Sequence, residues 1–220
     1  MINNAQLCEL RLKIEDMFKS DKNDPHYTNY KLMHSKYVSK IAIEIYKKEC
    51  EMYKEKEDSN ITTILELVGL LHDVGKISES TRGDDHAKAS AIIAEKLLSS
   101  YNFTLEEKCQ ILIAITVHSY KTKKQMNSMD RISRIITEAD LITKTLINDI
   151  FTWYGSMDNI LENIDTIKAK QDKKFKQRKK LLSKSGKKVA DKIEKEFNQF
   201  TKSIDRQKKI LNKGMIYNGN

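Results

Sequence analysis

The stretch LLHDVGK at residues 70–76 sets a histidine and an aspartate side by side at the end of an apolar run. Upstream of it, Ile61, Ile64, Leu65, Val68 and Leu71 make the segment apolar around much of a helical circumference, so a central helix is expected from about residue 61 to 73. Gly69 would permit close approach of a neighbouring helix, and Gly75 suits a C-terminal stop. His72 and Asp73 then close a buried helix. A polar pair in that position needs partners delivered by other helices.

The rest of the chain supplies candidates at helical spacing. Residues 31–47, KLMHSKYVSKIAIEIYK, place Leu32, Val38, Ile41, Ala42 and Ile45 on one stripe, and His34 lies on that stripe and points inward. After the polar stretch SESTRGDDH, a helix is expected to begin near His86 and to run through Ala89, Ile92, Ile93 and Leu97. The next begins at TLEE, where Thr104 and Glu107 fit a capping box, and runs through Leu112 and Ile113 to His118, so that His118 ends a helix as His72 does. A further helix from about Ser128 carries Ile132, Ile135, Ile136, Ala139, Ile142 and Leu146, with Asp140 on its apolar face. An ionised carboxylate there is costly unless a cation or strong hydrogen bonds meet it.

Composition agrees with an all-α chain. One proline, seven glycines and a 32% charged fraction favour long helices over a sheet with many turns. Cys8, Cys50 and Cys109 are odd in number, far apart and without a CxxC pair, which fits reduced thiols and excludes a zinc ribbon. No signal-like apolar core opens the sequence and no later run approaches a membrane span, so a cytoplasmic protein without a membrane partner is expected. The net charge of +9 is unevenly placed. Residues 168–209 hold 17 Lys/Arg against five Asp/Glu, whereas residues 1–167 carry 22 basic and 26 acidic side chains. The basicity belongs to the tail and not to the part that contains LLHDVGK.

Each polar residue has an ordinary reading taken singly: a hydrogen-bonded core imidazole for His34, a cap-region residue for His86, a solvent-facing helix end for His118, an Arg or Lys partner for Asp140. Taken together, four of the five histidines and an apolar-face aspartate are better read as ligands. Imidazole and carboxylate on packed helices suit a borderline divalent ion such as Mn, Fe, Co, Ni or Zn.

At this point the residues resemble the HD-domain metal-dependent phosphohydrolases, whose pattern is His, then His-Asp, then a distant Asp. Here these are His34, His72 with Asp73, and Asp140. His86 in HAKASAIIAEKLL and His118 in ILIAITVHSYK match additional histidines of a subset that includes short bacterial nucleotide pyrophosphohydrolases and symmetrical diadenosine tetraphosphate hydrolases, and the HS after AITV looks more like the former. The tail LLSKSGKKVADKIEKEFNQF is similar to the closing helices of the short pyrophosphohydrolase-type members. The chain departs from those relatives after the last ligand, with EADLITKTLIND, and after the HD pair, with VGK.

The resemblance implies a helical bundle with the metal site between its central helices: an N-terminal helix over 1–25, an HD core over 26–150, and basic C-terminal helices over 151–220 packing on the core through Leu181, Leu182, Val189, Ile193, Phe197 and Phe200. It implies a divalent ion, Mn or Fe favoured over Co, Ni, Zn or Mg, held by His34, His72, Asp73 and Asp140. The expected chemistry is hydrolysis of a small phosphorylated substrate, a nucleotide phosphoanhydride above all, with Asp73, His86 and His118 as catalytic groups. His86 and His118 would bind phosphate, hold a second ion or, for His118, protonate the leaving oxygen. No further carboxylate is clearly placed for a second ion; Asp84 and Asp85 are the candidate exceptions, although a loop acid is more often just solvated. Lys76, Arg82 and Lys121 follow site residues closely enough to contact phosphates, though solvated surface charge accounts for each as well. His26 is assigned no role. Diadenosine tetraphosphate or another nucleotide diester is the alternative substrate. The alternative class is a nucleic-acid binder using KAKQDKKFKQRKK, which is less favoured because only Phe175 in that run could stack a base. Monomer and homodimer both remain open.

Overall fold

Helix α3 (Ser59–Leu71) is the axis around which the chain is wound. Its Ile64, Leu65, Leu67, Val68 and Leu71 are almost entirely removed from solvent on every side. The half-buried Glu66 among them is held by a two-pronged pair with Arg11 at 2.7 Å. The computed structural model describes residues 2–20, 24–77, 86–120 and 122–217, with side chains through residue 208. Among these residues there are helices and no strand. Around α3 lie α1 (Asn4–Ser20), α2 (Pro25–Tyr53), α4 (His86–Leu98), α5 (Leu105–Val117), the short α6 (Lys123–Asn127) and α7 (Arg131–Thr143); α8 (Ile147–Tyr154), α9 (Met157–Lys179) and α10 (Lys184–Tyr217) follow.

Asp24 caps α2 by accepting from the Tyr27 N–H at 3.0 Å, with Pro25 just inside, so this helix starts earlier and runs longer than the 31–47 stripe requires. Thr104 and Glu107 form the anticipated capping box of α5. Where α2 crosses α3, Gly69 meets Ser39, whose hydroxyl donates to the Glu66 carbonyl at 2.7 Å. A Cβ on Gly69 would lie 2.5–2.6 Å from the Ser39 hydroxyl and backbone. This close crossing brings His34, five residues before Ser39, opposite His72, three after Gly69.

Two expectations are corrected. Gly75 does not end α3 in a left-handed conformation; the chain continues through a 3-10 turn (Val74–Lys76). Glycine is required there because a Cβ would sit 2.6 Å from the His86 carbonyl and 2.7 Å from the Ser90 N–H, while the Gly75 N–H donates to Ser90 Oγ at 2.9 Å. It therefore draws the first turn of α4, with His86, against the HD pair. The helix bearing Asp140 begins at Arg131, capped by Asp130, and stops at Thr143 rather than continuing through Leu146. Turn bonds from Thr145 to Ile142 and from Leu146 to Thr143, each 2.9 Å, reverse the chain into α8.

The C-terminal helices pack on these elements through Ile160, Ile164, Ile167, Phe175, Val189, Ile193 and Phe197, and the buried apolar cluster is continuous from Leu7 to Ile204. Leu182 is buried with them, whereas Leu181 and Phe200 are half-buried. At the start of α10, the Ser183 N–H and hydroxyl both donate to the Glu138 carboxylate at 2.8 Å, and Arg134 joins Glu138 to Glu49. No helix among the described residues is long and apolar enough to cross a membrane.

Because the α2–α3 crossing has no room for a methyl group, Gly69→Ala should destabilise the protein by about 1–3 kcal/mol, measured as a lower urea midpoint with an unchanged slope.

Candidate metal centre

Asp73 sits at the middle of the bundle, 1% exposed. Its two oxygens face different company. Oδ2 accepts from Lys31 Nζ of α2 at 2.9 Å and from Lys76 Nζ at 3.0 Å. Oδ1 faces the Nε2 atoms of His86 and His118, each 3.6 Å away. Lys76 Nζ also lies 2.8 Å from Oδ1, but its hydrogen bond is directed to Oδ2, and Oδ1 is buried with no hydrogen bond. Burial alone would raise the Asp73 pKa; the charged and hydrogen-bonding groups around it, the ammonium groups of Lys31 and Lys76 among them, overcome it and hold the carboxyl well below the usual carboxylate range.

The imidazoles are oriented by their own helix ends. His72 Nδ1 bonds the Gly69 carbonyl at 2.8 Å and His118 Nδ1 bonds the Ile115 carbonyl at 2.6 Å. A carbonyl can only accept, so each Nδ1 carries a proton and each ring turns its Nε2 to the interior. For His72 that Nε2 is buried and has no hydrogen-bond partner. Burial pushes the His72 pKa down to about 3, which keeps the ring neutral.

His34 is fully buried between two acids, with Nε2 3.0 Å from Asp140 Oδ1 and Nδ1 3.2 Å from Asp149 Oδ1. Burial disfavours its charged form, but the bonds to Asp140 and Asp149 prevail and raise its pKa. Asp140 Oδ2 is bound by Lys144 Nζ at 2.8 Å. The ring centres of His34, His72, His118 and His86 follow one another at 5.5, 4.9 and 5.3 Å.

Two sets of potential ligand atoms result, His34 with His72 and Asp140, and His72 with Asp73 and His118; within each, the atoms lie within 4.8 Å of one another. The donor set of imidazole nitrogen and carboxylate oxygen suits a borderline divalent cation. Two buried acceptors without a hydrogen bond, His72 Nε2 and Asp73 Oδ1, are what such an ion would satisfy. The residues present fit a metal.

The expected ligands thus fall into two sets that share His72, His34 with Asp140 in one and Asp73 with His118 in the other, and His86 lies beside Asp73. Lys76 is at the site but engages Asp73. Arg82 and Lys121 lie outside the described residues, as do Asp84 and Asp85. Sequence reasoning missed three side chains. Lys31 lies three residues before His34 and Lys144 four after Asp140, so helical spacing alone marks both as neighbours of a ligand. Asp149 carried no such signal: it reaches His34 only because the chain reverses between α7 and α8.

An all-α bundle enclosing a buried His/Asp centre with ring nitrogens turned inward defines a class of metal-binding helical domain. A model of the HD domain matches residues 32–145, more than half of the chain, which belongs to that family, whose members are metal-dependent phosphohydrolases. No curated protein and no solved structure gives a significant match.

Asp149 holds the His34 ring through Nδ1, while Nε2 faces Asp140, and supports of this kind behind a metal-bound imidazole typically contribute a factor of about 10–100 in metal affinity. Asp149→Ala should weaken Mn²⁺ binding by that factor, read by competition with a chelator, while the folded far-UV CD spectrum is retained.

Proposed function

We propose that the chain hydrolyses a phosphoanhydride of a nucleotide, in the manner of a nucleotide pyrophosphohydrolase, at a divalent centre held by His34, His72, Asp73 and Asp140. The observation that carries this reading is a pair of buried acceptors without a hydrogen bond, His72 Nε2 and Asp73 Oδ1, in one set of potential ligand atoms with His118. When bound, the ion would supply charge stabilisation at phosphorus and acidify an attacking water. Mn or Fe suits the mixed imidazole and carboxylate set best.

The protein's own groups have separable tasks. Lys31 and Lys76 hold Asp73 ionised, Lys31 at Oδ2 and Lys76 within reach of both oxygens, with Oδ1 toward the imidazoles. Asp149 fixes the His34 ring, and Lys144 keeps the Asp140 carboxylate in place. His118 is 2% exposed and His86 is partly open. With its Nδ1 committed to a carbonyl, His118 can take up or release a proton only at Nε2, beside Asp73. There it would bind a phosphate oxygen or donate a proton to the leaving oxygen, with His86 as its neighbour toward solvent. A symmetrical dinucleotide hydrolase would use the same centre, and the products distinguish the two.

Turnover of nucleoside and deoxynucleoside triphosphates and of diadenosine tetraphosphate with Mn²⁺ tests the reading. The expected products are pyrophosphate and a nucleoside monophosphate. Two diphosphates from the dinucleotide would favour the alternative substrate, and a metal-loaded protein inert across the panel would overturn the nucleotide assignment. Asp73→Ala should lose bound metal and bring turnover to background, as should EDTA in the wild type, where Mn²⁺ should restore it.

A further inference from the structure

Beside the metal centre lies a cleft of about 370 Å³, within the range of small-molecule sites. It adjoins the centre through shared walls: Lys144 binds Asp140, and Asp149 binds both His34 and, at 3.3 Å, the Tyr30 hydroxyl. Its opposite wall is one face of α9, where Lys170, Gln171, Lys174 and Arg178 recur at helical spacing. These residues lie beyond the span of the family match.

The charges on this wall are not matched by close ion pairs: Asp140 and Asp149 act on Arg178, and Asp149 on Lys174, only at longer range. Among the described residues, Lys170, Lys174 and Arg178 have no ion-pair partner, although Lys31, Lys76 and Lys144 nearby are each paired with a ligand carboxylate. Lys174 and Arg178 are partly buried, and burial lowers the pKa of both. Arg178 donates to the Leu141 carbonyl at 2.6 Å, and Lys174 lies 3.5 Å from that of Lys144, so both help close the exposed end of α7. Neutral carbonyls do not offset two cations, and the guanidinium retains further donors. The one acid lining the cleft, Asp149, is committed to His34 and Tyr30.

Two other features exclude a bare anion as the intended occupant. Gln171 is 3% exposed; its Nε2 donates to the Lys144 carbonyl at 3.3 Å, which fixes the amide and leaves Oε1 buried without a partner. The neighbouring cations leave this acceptor unbonded, so it is open to a hydroxyl or N–H of a ligand. The remaining wall is aromatic: Trp153, half exposed, packs at 5.0 Å against Tyr30, with Tyr154 alongside.

We propose that this cleft binds a nucleoside polyphosphate, with phosphates along Lys170, Lys174 and Arg178, the base against the Trp153 and Tyr154 rings, and a ribose hydroxyl or base N–H on Gln171 Oε1. The phosphate end lies toward Arg178 and Lys144, nearest Asp140. This deepens the nucleotide reading above and rests on it for the reaction, not for the binding.

Trp153 is the single tryptophan of the chain, so its emission reports on the cleft directly. Metal-free full-length protein in EDTA, titrated with ATP, should show a saturable change in tryptophan fluorescence. Lys170→Ala and Lys174→Ala should each weaken the apparent Kd about tenfold or more. Lys170 is exposed and closes no helix, so its substitution separates ligand contact from folding. Inorganic triphosphate should bind more weakly than ATP. No fluorescence change, equal binding of inorganic triphosphate, or a response to oligonucleotides alone would each overturn the proposal. Binding without turnover in Mn²⁺ would support the cleft while removing nucleotide hydrolysis. Turnover with KM unchanged in both lysine variants would remove the cleft alone.

Discussion

An ionised carboxylate at the centre of a helical bundle is the constraint on which the rest of this structure depends. Asp73 is tolerable there only if cationic and hydrogen-bonding groups arrive from several directions. Lys31 comes from α2, Lys76 from the turn that follows, and imidazoles from α3, α4 and α5. The two close backbone approaches follow from this demand. Gly69 lets α2 come near enough for Lys31 and His34 to reach the interior, and Gly75 lets α4 come near enough for His86. Lys31 occupies Oδ2 and Lys76 lies against both oxygens, with Oδ1 facing the imidazoles of His86 and His118. The site is therefore ordered by protein charges before any ion is considered.

The parts of this arrangement that depend on local periodicity were legible in the sequence. His34 and Asp140 each lie on an apolar helical stripe, and His72 and His118 each end an apolar helix, so their inward direction follows from spacing alone. The capping box at Thr104 is likewise a local signal and was found where its residues place it. What depends on chain reversal was not legible. Asp149 is nine residues after Asp140, and extending one helix through Leu146 would have given it no reason to face His34. The turn after Thr143 is stabilised in part by α9, which is distant in sequence, so no local pattern announces it. Gly75 misled for a related reason: a glycine after a helix suggests a left-handed stop, but this one answers to the backbone of α4.

The basic tail shows how charge counted along a sequence differs from charge placed in space. Read linearly, residues 168–209 are a lysine-rich run of the kind usually left to solvent. In the fold, Ile160, Ile164, Ile167 and Phe175 fix one side of α9 in the apolar core, and that anchoring turns Lys174 and Arg178 toward the end of α7. The same helix therefore contributes apolar packing, closes another helix and sets the electrostatic character of a cleft. Its join to the bundle is polar as well, through the Glu138 carboxylate that receives Ser183.

His72 and His118 each bond the carbonyl three residues back at the end of their own helix. That contact makes the identity of the protonated ring nitrogen a property of secondary structure. If the last turn of α3 frays, the Gly69 carbonyl is lost to the ring, the tautomer is released, and the inward lone pair is no longer assured. Ligand competence and helix-end integrity are then one equilibrium viewed from two sides. Binding at the centre would accordingly slow amide exchange in the terminal turns of α3 and α5, and a perturbation that only loosened those turns would register as a loss of affinity at residues it never touched.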